Sequence, residues 1–400
     1  MLEPVQARDR LSEIDMIRGF ALFGVLLVNM FSFGADSMAW DDRHDQITQG
    51  IVRLFFDSKF WTLFSLLFGF GLGMQLQKFA SRKWSQSILI LLRRLALLFV
   101  FGMLHALIYE GDILMLYAEL GVVLLLIHRF PPRLLVVLAV GLLLTFPVAH
   151  WLTPERFDDP AAQSVEQARA FLLEEREYSV YLTGSVGDIL AYNAEVIPEN
   201  PVSDYLWPDS GFAVLALFIM GYLLCRSGIF ADGRRYRVLF ARAGAWGVSI
   251  GLLATGGLWA LMSQAGYHAY WVTEGPPVVQ LAGDLLFVIS MVALAIAYAA
   301  GLTLWMQTQG GRKILLPLAS AGRVALSLYL TQALIFTTLF HGYGFGLAFR
   351  MGPFSVAVCA LCIFSAQVWV AHAWLQHFRF GPFEWLWRSL TYLSWQPLRR

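Results

Sequence analysis

Four hundred residues with 29 Lys or Arg, 28 Asp or Glu and a formal net charge of +1 leave no electrostatic case for nucleic acid binding. A hydrophobic content of 58%, a charged content of 14% and a mean hydropathy of +0.60 exclude an ordinary soluble domain and predict a membrane protein.

A spanning helix needs about 20 largely apolar residues. Ten stretches qualify, near residues 17–37, 59–79, 89–109, 113–128, 134–152, 210–229, 240–263, 278–304, 319–340 and 353–376. Runs such as 134–144 are apolar on every side, which is the pattern of helices and not of the alternating strands of a closed barrel. The expected fold is all-α: one polytopic transmembrane bundle over residues 1–400.

Lys and Arg fall on alternate connections. One set holds Arg8 and Arg10, then Lys78, Arg82 and Lys83 with Arg93 and Arg94 just beyond, then Arg129 and Arg133, the run from Arg226 to Arg242, Arg312 with Lys313, and the tail from Arg379 to Arg400. The other set is nearly free of them, and its long segment 153–208 has three Arg against eleven Asp or Glu. The excess of basic residues marks the cytoplasmic side, so ten spans place both termini in the cytoplasm of a bacterial-type inner membrane. The polar, acidic start with Glu3, Asp9, Glu13 and Asp15 is unlike a cleavable leader, and the first span reads as retained.

Two non-spanning segments stand out. In the outer loop 153–208, residues 163–182 have the period of an amphipathic helix, followed by the breakers Gly184, Gly187, Pro198, Pro201 and Pro208. Residues 188–196 suit either a short lid or a surface helix. Residues 378–400 contain Gly381-Pro382-Phe383-Glu384-Trp385-Leu386-Trp387-Arg388, a Trp-rich stretch suited to the inner interface. Cys225, Cys359 and Cys362 read as small packing residues near the reducing side. Glycines in the second and seventh spans read as small-residue packing faces and permit a homodimer without demanding one.

Charges inside a membrane are retained where they find a partner, water or work. An inner cluster gathers Asp15, Arg18, Arg323 and Glu384; it is either a salt-bridge lock or an anion site in which the guanidinium forks of Arg18 and Arg323 hold phosphates. An outer cluster gathers Asn29, His44, Lys59, His105, Glu110 and Asp112, with His150 and His341 at outer span ends. A His beside a carboxylate suits general acid–base work near neutral pH, and Asn29 could stabilise an oxyanion. The alternative for each is a capping or hydrogen-bonding role. Glu119, six residues into the fourth span, is expected to be buried, as a proton carrier or a structural acid. The scattered histidines make no metal site, and no nucleotide-binding glycine loop or metalloprotease motif is present.

The blocks Asp15-Met-Ile-Arg18-Gly19 with Asn29, Lys59-Phe60 leading to Phe64-Ser-Leu-Leu-Phe68-Gly69, His105 with Gly111-Asp112-Ile113-Leu114 and Tyr117, Gly322-Arg323 with Tyr329 and Gln332, and Gly381-Pro382 through Arg388 together resemble the YeiB family. That family carries Asn before Tyr329, where this chain has Leu328. It is similar to the transmembrane acyltransferases that include the lysosomal heparan-α-glucosaminide N-acetyltransferase. The resemblance implies an acyl group, acetyl in that enzyme, moved from cytoplasmic acyl-CoA to an acceptor, often a sugar, reached from the outer face. It implies His105 as base, Asp112 as its orienter, Asn29 at the oxyanion, and Arg18, Arg323, Tyr329 and Gln332 around the donor. His44 is a second candidate base, because the lysosomal enzyme's His position falls on Trp40 here. The rival expectation is a proton-coupled transporter or lipid-handling protein on the same scaffold.

Overall fold

In hydrocarbon every backbone polar group must be satisfied within its own segment, and the chain meets that demand with helices. The computed structural model describes residues 12–35, 40–79, 84–152, 176–196, 211–264 and 276–400. Among these the fold is all-helical, with one isolated bridge between Phe378 and Arg399. In chain order the helices are α1 (Ser12–Phe31), α2 (Arg43–Phe55), α3 (Lys59–Phe79), α4 (Trp84–Ala106), α5 (Leu114–Ile127), α6 (Pro132–Leu143), α7 (Thr145–Leu152) and α8 (Val186–Val196). There follow α9 (Gly211–Ser227), α10 (Arg237–Gln264), α11 (Pro277–Met306), α12 (Gln309–Arg323), α13 (Ala325–Phe340), α14 (Pro353–His377) and α15 (Pro382–Tyr392). Arg8, Arg10, Arg82, Lys83, Arg156, Arg169, His268 and residues 163–175 of the expected outer helix lie outside the described residues.

Five helices, α1, α4, α10, α11 and α14, are long and apolar enough to cross a membrane, and seven spans result if the bent pairs α6–α7 and α12–α13 each count as one. Helices α3, α5 and α9 occupy the remaining expected windows but do not reach that length and hydropathy. The expected span at 319–340 is not one rod: the chain turns by 82° between α12 and α13, at Val324.

Burial orders the bundle. In α1, 67% of the apolar window is buried, against 28% in α10 and in α14, so α1 is central and the other two face lipid at the rim. Small residues allow the closest approach of α1 to α12. A Cβ on Gly19 would strike the Leu318 carbonyl and one on Gly322 the Asp15 carbonyl, so the two backbones touch there. At one end of the bundle, residues 176–183 and α8 cover the helix ends: Ile189, Tyr192 and Asn193 are buried, and the Asn193 amide donates to the Leu107 carbonyl at 3.0 Å. At the opposite end α15 packs on α4 and α13.

Candidate functional site

Helix α4 ends at Ala106, and the chain reverses through residues 107–113 before α5 begins. The first N–H groups of α5 have no carbonyl partner of their own. Asp112 supplies one: its Oδ2 accepts from the Leu114 and Met115 N–H groups at 2.9 and 3.1 Å. Its other oxygen, Oδ1, lies 2.8 Å from His105 Nδ1, and both side chains are only 2% exposed. With two backbone donors on Oδ2, the carboxylate is held in one orientation, and its free oxygen selects the tautomer with the proton on Nδ1. The lone pair then sits on Nε2, which is buried and makes no hydrogen bond. A buried imidazole with one nitrogen held by a carboxylate and the other unpartnered is equipped to accept a proton.

The imidazole packs against Tyr329, with ring centroids 4.9 Å apart, and against Tyr109 at 6.1 Å. The Tyr329 hydroxyl accepts from the Ile113 N–H at 3.4 Å. Tyr329 is also a wall of a cavity of about 300 Å³. Along α3 its lining runs from Phe64 to Lys78, about 21 Å at the rise of a helix. The deep end is Phe64, Leu114, Tyr117 and Tyr329, beside the His105–Asp112 pair. The mouth is basic: Arg18, Lys78, Arg94, Arg323 and Arg388 line it with two acids, Asp15 and Glu384.

These cations are held in place. Arg18 bonds Asp15 at 2.8 Å and the Gly322 carbonyl at 3.4 Å, both through Nη1. Arg94 lies 3.5 Å from the centroid of Trp387, whose indole N–H donates to the Arg94 carbonyl at 2.8 Å. Arg388 stands over Phe380 at 4.5 Å. Glu384 accepts from the Ser327 N–H and hydroxyl at 2.9 and 2.5 Å. Burial pushes its carboxyl above the ordinary glutamate range, against the pull of the Ser327 bonds, which weakens the negative charge at the mouth. The lining is therefore suited to an anion.

Other expected residues fall elsewhere. Asn29 is half-buried near the C-terminal end of α1, and no hydrogen bond joins it to the His105–Asp112 pair. His44 is exposed on the first turn of α2, its N–H donating to the cap Asp42. Gln332 is buried between α13 and α14, where its amide donates to Gln367 at 2.9 Å. Glu119, expected to be buried, is exposed on α5. Depth along a span sets distance from water, but the rotation of the helix sets what a side chain faces.

Sequence reasoning missed Arg94 and Lys78 as cavity residues because both were read only as markers of orientation. It also missed a second buried pair, His150 Nδ1 with Asp284 Oδ2 at 2.8 Å, which joins α7 to α11 across 134 residues of chain. No spacing rule reaches that far. The Ser65 and Tyr117 hydroxyls, 2.6 Å apart at the deep end, carry no signal beyond their place in a motif block.

A family model described as "Protein of unknown function (DUF418)" matches residues 224–394, the segment that supplies Arg323, Tyr329, Glu384 and Arg388. Similarity to whole relatives extends over the His105–Asp112 region as well. The chain is 30% identical to "Uncharacterized protein YxaH" of Bacillus subtilis (strain 168), over 100% of this chain and 98% of the relative. It is 29% identical to "Uncharacterized protein YeiB" of Escherichia coli (strain K12), over 94% and 95% respectively. A third relative, "Uncharacterized 39.9 kDa protein in amylase 3'region" of Bacillus acidopullulyticus, is 25% identical over 98% and 96%. With likeness sustained from end to end in a helical chain rich in apolar spans, the protein belongs to the YeiB family of membrane proteins.

Proposed function

We propose that this protein is a multi-pass acyltransferase of a bacterial cytoplasmic membrane, with ten spans and both termini inside. In this reading it takes its acyl group from cytoplasmic acyl-CoA. The observation that carries the reading is the His105–Asp112 pair, with Nε2 unpartnered, packed on the tyrosine that closes the deep end of a basic cavity. The phosphates of the donor rest among Arg18, Arg323 and Arg388 at the mouth, and the slender pantetheine arm follows α3 inward.

In the reaction, His105 Nε2 takes a proton from the acceptor hydroxyl or amine as the new O–C or N–C bond forms at the thioester carbonyl. The Tyr329 O–H stabilises the tetrahedral oxyanion. Collapse breaks the C–S bond, and the leaving thiolate of CoA takes the proton back from the imidazolium. Asp112 holds the tautomer and balances the imidazolium charge throughout. The acceptor, a sugar by the family resemblance, comes from the outer side.

Purified protein in lipid nanodiscs tests this reading. CoA esters are expected to raise its thermal stability, because a ligand that binds the folded state stabilises it. The double variant Arg18→Gln, Arg323→Gln should weaken that shift at least about tenfold in ligand concentration, on the scale of hydrogen bonds to charged groups. No shift with any CoA ester, or a shift indifferent to both substitutions, overturns it.

A further inference from the structure

A second cavity, of about 600 Å³, adjoins the first. Apart from Ser227 its lining is entirely apolar, drawn from α1, α3, α6, α9, α10 and α11 and from the turn between α9 and α10, with Leu63, Phe70, Phe230, Ala243 and Ala299 among the residues on its walls. An apolar space does not favour water, and a hydrocarbon chain suits its walls. Val136 and Val140 of α6, each 51% exposed, and Leu239 of α10, 48% exposed, line it while facing outward, so its rim opens between α6 and α10 toward lipid.

Two residues, Ile14 and Leu67, line both cavities. Nothing thicker than these two side chains separates the charged space from the apolar one. Leu67 lies three residues beyond Phe64 on α3, about 4.5 Å from the deep end of the charged cavity. The junction is thus close to where a thioester would rest beside Tyr329. The pair of spaces has the character of an amphiphile: a basic slot for phosphates, and beside it, across Ile14 and Leu67, an apolar chamber larger than the slot and far larger than an acetyl group requires.

We propose that the apolar cavity holds the hydrocarbon chain of the donor, so that the donor is a long-chain acyl-CoA. The inference rests on the acyl-CoA reading above and adds the class of acyl group. Charge complementarity at the mouth and the adjacency of the two spaces across Ile14 and Leu67 select this occupant over a membrane lipid lying in the groove by its tail alone.

Binding of CoA, acetyl-CoA and palmitoyl-CoA to nanodisc-embedded protein, corrected against empty nanodiscs, tests it. Palmitoyl-CoA is expected to bind at least about tenfold more tightly than acetyl-CoA, a factor that burial of as few as two methylenes supplies. In Ala299→Phe, which fills the chamber, that ratio should fall toward one; Val136→Trp at the exposed rim should reduce it in a protein whose core is untouched. Equal affinity for the two esters refutes the chain site while leaving the acyl-CoA reading in place. A preference that survives both substitutions puts the chain elsewhere and also refutes it. Equal competition by a neutral monoacylglycerol shows an ordinary lipid groove and refutes it as well. If neither ester binds, the acyl-CoA reading itself fails, and this inference with it.

Discussion

Replacing Asp112 by Asn and by Ala separates what this carboxylate does for the fold from what it does for His105. Asp112 accepts three hydrogen bonds, one from His105 and two from the first N–H groups of α5. Ala removes all three. Loss of a helix cap costs about 1 kcal/mol, and loss of a buried bond to a charged acceptor about 1.5–3 kcal/mol, so Asp112→Ala should destabilise by about 2.5–4 kcal/mol. Asn keeps one oxygen and must choose. If the oxygen faces His105, the amide NH₂ meets two backbone donors, leaving both unsatisfied at about 1–3 kcal/mol each. If the oxygen faces the backbone, the NH₂ points at His105 Nδ1, which then accepts, and the imidazole proton moves to Nε2. The second arrangement keeps both backbone bonds and the bond to His105, and its main cost is the charge-assisted part of the His bond, about 1–1.5 kcal/mol.

Asp112→Asn should therefore remain folded, with a thermal midpoint well above that of Asp112→Ala, and yet present a protonated Nε2 that cannot accept a proton. Imidazole ¹⁵N resonances in nanodiscs, with the His105 signals assigned by their loss in His105→Gln, report the tautomer directly. The wild type should carry the proton on Nδ1 and the Asn variant on Nε2. A wild-type His105 protonated on Nε2, or equal stability of the Asn and Ala variants, would refute the reasoning.

Gly322→Val forces a side chain into the Asp15 carbonyl, and backbone cannot yield as a side-chain tip can, so about 1–3 kcal/mol of thermal stability should be lost; Gly141→Ala, which meets nothing within 4 Å, should be neutral in the same melt. His341, just beyond α13, is stacked on Tyr181 at 4.6 Å, and burial lowers its pKa to about 4. Because the ordinary value is near 6.5, the unfolded cap binds the proton first as pH falls, so the cap's stability is full above about 6.5 and declines toward 4. Hydrogen exchange in residues 176–196, corrected for intrinsic rate, should accelerate over that window in the wild type and not in His341→Phe. The Tyr181 hydroxyl lies 3.0 Å from Glu110 Oε2 and 2.8 Å from Asn193 Oδ1, and Tyr181→Phe should cost about 1 kcal/mol of local stability, read as faster exchange in α8 at pH 7.

The helices were legible because lipid imposes a simple demand, a run of apolar residues, that the sequence must display in the open. The pairing of His105 with Asp112 was legible for a local reason: seven residues joined by a chain reversal cannot stray far apart. His150 and Asp284 meet through tertiary packing, and the residues between them say nothing of it. Rotation was equally hidden. Glu119 faces outward although its position along the span suggested burial, because α5 is apolar on nearly all sides and its pattern selects no face. Lys78 and Arg94 illustrate a different obstacle: one residue can serve both topology and a cavity, and a count of charges registers only the first.

The break at Val324 is the feature from which the site's geometry follows. A continuous helix through 309–340 would carry Arg323 and Tyr329 along one axis and leave the first N–H groups of α13 bonded to carbonyls of the preceding turn. Bending by 82° exposes those groups, and α15 answers: Glu384 accepts from the Ser327 N–H and hydroxyl, while the Ser327 hydroxyl accepts in turn from the Phe383 N–H at 3.1 Å. The carboxyl thus acts as a cap supplied from a distant part of the chain, which is a physical reason for a buried acid in the Trp-rich tail. The same bend leaves Arg323 at the basic mouth and carries Tyr329, six residues on, to the imidazole of His105. Mouth and deep end are therefore joined through six residues and one cap, so a shift of α15 bears on the basic side and the His105 side of the cavity together.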